Sequence, residues 1–78
     1  MRMATKTPNQ IVSENVETLR RIKGLSQETI GKALGKSQSQ ADRKLKAVSP
    51  WNADEIALIA GLLGVTEEFL FQEQTYPN

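Results

Sequence analysis

The chain has no cysteine and no histidine among its 78 residues. Without cysteine there is no disulfide framework and no thiolate metal site. Without histidine the commonest metal ligand and the commonest general base at neutral pH are both missing. Aromatic residues are scarce, with two Phe, one Tyr and one Trp. Long apolar runs are absent too. The richest, Ile56 to Val65, has ten residues, whereas a membrane span needs about 20. Met1 to Gln10 is polar and lacks the apolar centre of a signal peptide. A reducing cytoplasm is expected. Base is missing from the second half of the chain. All ten Lys and Arg lie in residues 1–46 beside four acids, giving +6, and residues 47–78 carry five acids and no base. Such a chain either presents a basic face to a polyanion or carries an asymmetry that folding erases.

What is present is helical periodicity. One domain is the most this length allows. The first eight residues, ending in Pro8, are expected to form a flexible arm that either reaches along a groove or is disordered. Residues 9–73 are expected to form the domain, and 74–78 to fray. Val12, Val16, Leu19 and Ile22 fall at +4, +3, +3 spacing and predict an apolar stripe on a first helix. Arg20, Arg21 and Lys23 suit its negative end, and Gly24 suits its stop. Ser26 caps a second helix with Ile30, Ala33 and Leu34 inward. Gly31 in its middle costs about 1 kcal/mol against alanine, which predicts close approach of another helix.

"LGKSQSQADRKL", residues 34–45, ends that segment at Gly35 and restarts at Ser37. Ser37 and Gln40 have the spacing of a capping box. Ala41 and Leu45 are the apolar anchors of this third helix, and its other positions are polar. A helix polar around most of its circumference gains little from packing and must face water or a polar partner. Asn52 and Glu55 form a second capping box. It opens a fourth helix, with Trp51 and Ile56 at the staple positions and Ile56, Ile59, Ala60 and Leu63 inward. Thr66 opens a short fifth helix, with Phe69 and Leu70 turned to the core. The fold class is therefore all-α, a compact bundle of five helices.

The second and third helices, joined at a glycine turn, are the parts of a helix-turn-helix. Gln38 can donate and accept together, as adenine N6/N7 requires. Ser39 can meet either kind of base edge, and Arg43 can fork onto guanine or phosphate. Gln40 serves either the capping box or a base. Asp42 either accepts from cytosine N4 or pairs with Lys46 at i+4, the arrangement favoured here. Lys32 and Lys44 are expected to be solvated. Phe71 stands two residues from Phe69, so the two cannot share a face. It is either a contact between copies or a partly buried flank.

"LSQETIGKALGKSQSQADRKL" and "DEIALIAGLLGVTEEFL" resemble the lambda-repressor-like (XRE-type) helix-turn-helix domains of phage repressors and Cro-like regulators. The resemblance spans residues 25–70, with Gly31 at that family's small position and Gly35 at its turn. It implies a compact five-helix lambda-repressor-like fold and sequence-specific binding of double-stranded DNA by a transcriptional regulator, acting as a repressor by promoter occlusion. Gln38, Ser39, Gln40 and Arg43 would then read bases. Gln27 would bond a phosphate while bracing Gln38, and Lys36, Lys46 and Asn52 would meet the flanking backbone. A homodimer on half-sites about one DNA turn apart is implied; apart from the resemblance, Phe71, with its neighbour Leu70, is the candidate contact between copies. Three positions depart from that family's pattern. Lys36 replaces an apolar turn residue, Ala41 is small for its place, and Asp42 puts a carboxylate on the reading face. The other function class open to such a fold is a protein-binding module, such as an antitoxin or adaptor. Enzyme chemistry is not expected. The carboxylate pairs Asp54/Glu55 and Glu67/Glu68 sit in first turns where the helix dipole accounts for them, and no nucleophile–base pair or phosphate-binding glycine loop is present. No cofactor and no metal are expected. Met1 and the short tail fit a complete small protein as well as the DNA-binding part of a longer repressor.

Overall fold

A computed structural model describes residues 6–74. The first five residues of the expected arm, and 75–78 of the expected tail, lie outside the described residues. Five helices follow in order: α1 Pro8–Ile22, α2 Gln27–Leu34, α3 Gln38–Leu45, α4 Ala53–Leu63 and α5 Glu67–Leu70. No strand occurs among the described residues.

Each helix begins on a side-chain cap. Thr7, Ser26, Ser37, Asn52 and Thr66 each accept a hydrogen bond from a backbone N–H in the first turn. These caps satisfy donors that have no partner inside the helix. The expected boxes Ser37/Gln40 and Asn52/Glu55 both form, and a third joins Thr7 and Gln10. That third box starts α1 at Pro8, one residue ahead of the expected start. Proline tolerates the first helical position because its missing N–H would be unpaired there anyway. Gly35 and Gly64 end α2 and α4 in left-handed conformation.

The core combines Val12 and Val16 of α1 with Ile30 and Leu34 of α2 and Ala41 and Leu45 of α3. Ile56, Ile59, Ala60 and Leu63 of α4 and Leu70 of α5 complete it. Leu19, Leu25, Ala33, Trp51, Val65 and Phe69 pack around it, half-buried. Ile22 corrects the expected stripe, being 68% exposed. Ten residues at 3.6 per turn rotate it about 80° away from Val12, so the last +3 step carries it off the core face. α2 pairs most closely with α3 and then with α4, while α1 packs across α3, α4 and α5. Buried Asn15 of α1 donates through Nδ2 to the Leu70 carbonyl at 2.9 Å and the Gln72 carbonyl at 2.8 Å, which ties the end of α5 to α1. No helix of the described residues is long and apolar enough to cross a membrane.

Candidate nucleic-acid interface

The junction between α2 and α3 is tight. The Lys36 N–H donates to the Gly31 carbonyl at 2.7 Å and the Gly35 N–H to the Lys32 carbonyl at 3.1 Å. A methyl group on Gly31 would stand 2.7 Å from the Lys36 carbonyl oxygen and 3.0 Å from that of Ser37. The close approach expected at Gly31 is thus made by the turn backbone that launches α3. Glycine there sets how near the start of α3 lies to the body of α2.

Ser37, Gln38, Ser39, Gln40 and Arg43 are exposed. Gln27, Ser37, Gln38, Ser39 and Asp42 line an open groove of about 560 Å³ between the first turns of α2 and α3. Gln40 serves the capping box. Its Oε1 accepts from the Ser37 N–H at 3.0 Å, and its own N–H donates to Ser37 Oγ at 3.2 Å. Gln27 braces Asp42, where the resemblance implied Gln38: its Nε2 donates to Asp42 Oδ1 at 2.9 Å. Asp42 Oδ2 pairs with Lys46 Nζ at 3.0 Å, the favoured i+4 arrangement. The polar side chains of the groove are therefore of two kinds. Gln38 and Ser39 stand exposed in its lining, whereas Gln27 and Asp42 are bonded to each other, and Asp42 is paired in turn with Lys46 outside the groove.

The opposite side of α3 holds what periodicity alone did not suggest. Lys44 is 7% exposed and Glu55 4%. Lys44 Nζ lies 2.8 Å from Glu55 Oε1, donates to the Pro50 carbonyl at 2.7 Å, and sits 5.8 Å from the centre of the Trp51 ring. Ser13 Oγ donates to the Lys44 carbonyl and accepts from Trp51 Nε1 at 2.9 Å. The expectation of a solvated Lys44 is thus corrected. It follows Ala41 at i+3 and precedes Leu45, so it belongs to the inward stripe, and a buried lysine needs an acid to pair with. Lys36 is drawn to the same acid, its Nζ 3.6 Å from Glu55 Oε2. Burial opposes ionisation of Glu55. Hydrogen bonds from Lys44 and from the Asn52 N–H, with the charges of Lys44 and Lys36, outweigh it and hold the carboxyl below its usual range.

Asn52 is exposed at the start of α4, and its Oδ1 caps the Glu55 N–H at 2.8 Å. Leu70 is another correction. It is 0% exposed inside the core and is no contact between copies, because α5 is a single turn whose inward face must fill the bundle. Phe71 is 46% exposed and borders a groove of about 380 Å³ with Pro8, Asn9, Val12, Pro50, Trp51, Ala53 and Ile56. Trp51 packs on the core as the staple implies, and its backbone N–H donates to Asn9 Oδ1 at 2.8 Å.

A family model described as the BetR domain matches residues 8–77. The chain belongs to the BetR domain family. The match takes in all five helices and both sides of α3. No curated protein and no solved structure matches the chain.

The cations of this BetR domain are mostly answered from within. Lys6 pairs with Glu14 and Glu73, Arg20 and Arg21 with Glu17, Lys36 and Lys44 with Glu55, and Lys46 with Asp42. Hydrogen bonds from Arg20 are the main reason that Glu17 is held below the usual carboxylate range, against a smaller opposing effect of burial. Among the described residues, Lys23, Lys32 and Arg43 have no such pair. The +6 of the first half therefore overstates the free positive charge, and Arg43 is the one unpaired cation on α3.

Proposed function

We propose that this BetR domain binds double-stranded DNA sequence-specifically through α3 and regulates transcription, as a phage-type or Cro-like repressor that occludes a promoter. The lambda-repressor-like resemblance of residues 25–70 belongs to the same proposal. The observation that carries it is the two-sidedness of α3. A rigid helix is fixed from behind by Ala41, Lys44 and Leu45 and presents Gln38 and Ser39, exposed, at the rim of an open groove. A helix of about 10–12 Å diameter fits a major groove about 12 Å wide. In that placement Gln38 and Ser39 reach base edges, Arg43 meets a base or a phosphate, and Gln40 keeps its capping role while its Nε2 stays available. Gln27, Lys46, Asn52 and Lys36 lie toward the flanking backbone. Lys36 reaches it by leaving Glu55. The working species is a homodimer in the cytoplasm, with Phe71 and its apolar groove as the contact.

The test is selection of bound duplexes from a random pool, followed by affinity measurements over a range of salt. A palindromic site with half-sites about one turn apart, and a steep loss of affinity with salt, are expected. Each phosphate contact adds about 0.9 to the slope of log affinity against log salt. No enrichment, or affinity nearly independent of salt, would instead favour a protein-docking module of the antitoxin or adaptor kind.

A further inference from the structure

Asp42 is the one carboxylate in the groove that α3 offers to DNA, and both of its oxygens are occupied. Gln27 Nε2 donates to Oδ1 at 2.9 Å and Lys46 Nζ pairs with Oδ2 at 3.0 Å. Its side chain is 30% exposed. It separates the groove lined by Gln38 and Ser39 from a smaller hollow lined by Glu17, Arg21, Gln27, Leu45 and Lys46. The other cation of that hollow, Arg21, is held by Glu17 at 2.6 Å. Lys46 is thus the single cation answering Asp42. The two donors Asp42 holds are also the two that stand at the phosphate-facing rim in the proposed DNA complex.

We infer that Asp42 is an internal stand-in for a DNA phosphate, which occupies Gln27 and Lys46 in the free domain and lowers affinity for every duplex alike. The inference rests on the DNA-binding reading of α3. A phosphate arriving at the rim competes with the carboxylate for the same N–H and ammonium groups, and the carboxylate repels it as well. One phosphate contact that would release a counterion is thereby held back. Arg43 is the one unpaired cation on α3, so the contact withheld at Lys46, just past its end, is a large share of what this segment can offer. The consequence is a uniform restraint on the electrostatic part of affinity, which leaves the ratio between duplexes as it was. The alternative role, acceptance from cytosine N4, needs only a spare lone pair on one of these oxygens and would leave both partners in place.

Asp42→Asn separates these roles. The asparagine Oδ1 still accepts from Gln27, so the groove keeps its shape. The Nδ2 that replaces Oδ2 is a donor and releases Lys46. Binding of a random-sequence duplex and of the selected duplex is measured for both proteins over a range of salt. The expected result is that both duplexes bind more tightly near 0.1 M salt, by about eightfold for each protomer in contact, with the slope steeper by about 0.9 for each and the ratio of the two affinities unchanged. In a Lys46→Met background, Asp42→Asn should leave the slope unchanged. Unaltered or weaker binding by Asp42→Asn overturns the inference and leaves the DNA reading standing. A fall in the affinity ratio overturns it in favour of base reading by Asp42. Failure of the unmutated domain to bind either duplex overturns the inference and the DNA reading together.

Discussion

Gln38 and Lys44 share one helix and face opposite media. The contrast between them sets the energetics of the site. Gln38 is exposed, so its replacement should leave the fold alone. Lys44 and Glu55 are both nearly buried and held 2.8 Å apart. Removing one partner of a buried pair costs about 3–5 kcal/mol, because the other charge is left unanswered. A domain of this size holds only about 4–12 kcal/mol in total. Lys44→Met should therefore take a large part of the stability in a urea unfolding experiment. Adding Glu55→Gln removes the stranded charge and keeps the acceptor for the Asn52 N–H, so the double variant should recover most of the loss. A loss under about 1 kcal/mol for the single variant would show the pair to be solvated. Residues such as these were the hardest to foresee. Ser26, Ser37, Asn52 and Thr66 announce themselves as caps because a cap needs only a short polar side chain before an apolar run. A buried lysine announces itself only once its acid is placed. Glu55 is eleven residues away on another helix, where its visible role was the capping box. The bond from Gln27 to Asp42 spans fifteen residues and depends on how two helices cross, which no periodicity encodes.

At the scale of the element, the turn between α2 and α3 is held at a spacing that only glycine permits. Gly31→Ala would place a methyl group 2.7 Å from a carbonyl oxygen of the chain itself. Backbone cannot swing aside as a side chain can, so the start of α3 must shift. A loss of about 1–3 kcal/mol in stability is expected, as for other overpacked sites, with DNA affinity falling further than stability alone explains. A melting temperature equal to that of the unmutated domain would mean that the turn yields freely. Gly31 was legible as an anomaly, since glycine inside a helix costs stability and calls for a compensating contact. The order and type of the helices were legible for a related reason. Apolar spacing, caps and glycine stops all indicated the same segments. Ile22 escaped because successive +3 steps drift around the helix, and Pro8 because its place inside the first turn depends on the Thr7 cap.

At the scale of the whole molecule, pairing within the fold decides how the domain responds to pH and salt. Glu17 and Glu55 are both held below the ordinary carboxylate value of 4.5. Groups of this kind stabilise the fold above their unfolded pKa, and that contribution is lost as pH falls through the folded value. No histidine or cysteine side chain titrates between about pH 5 and 8. The urea midpoint should accordingly stay level from about pH 7 to 5 and drop below about 4.5. A drop that begins near pH 6 would contradict this assignment. The same pairing makes the charge asymmetry of the sequence a poor guide to the surface, because most of the cations in the first half are answered by acids. The claim on which the functional account turns is that the first turn of α3 meets base edges. It is tested most directly by comparing Gln38→Ala with the unmutated domain on the selected duplex and on a random one. The account predicts that Gln38→Ala lowers the affinity ratio by about 1–3 kcal/mol per half-site while leaving binding to the random duplex and its salt slope as they were. A ratio left unchanged by Gln38→Ala would contradict it.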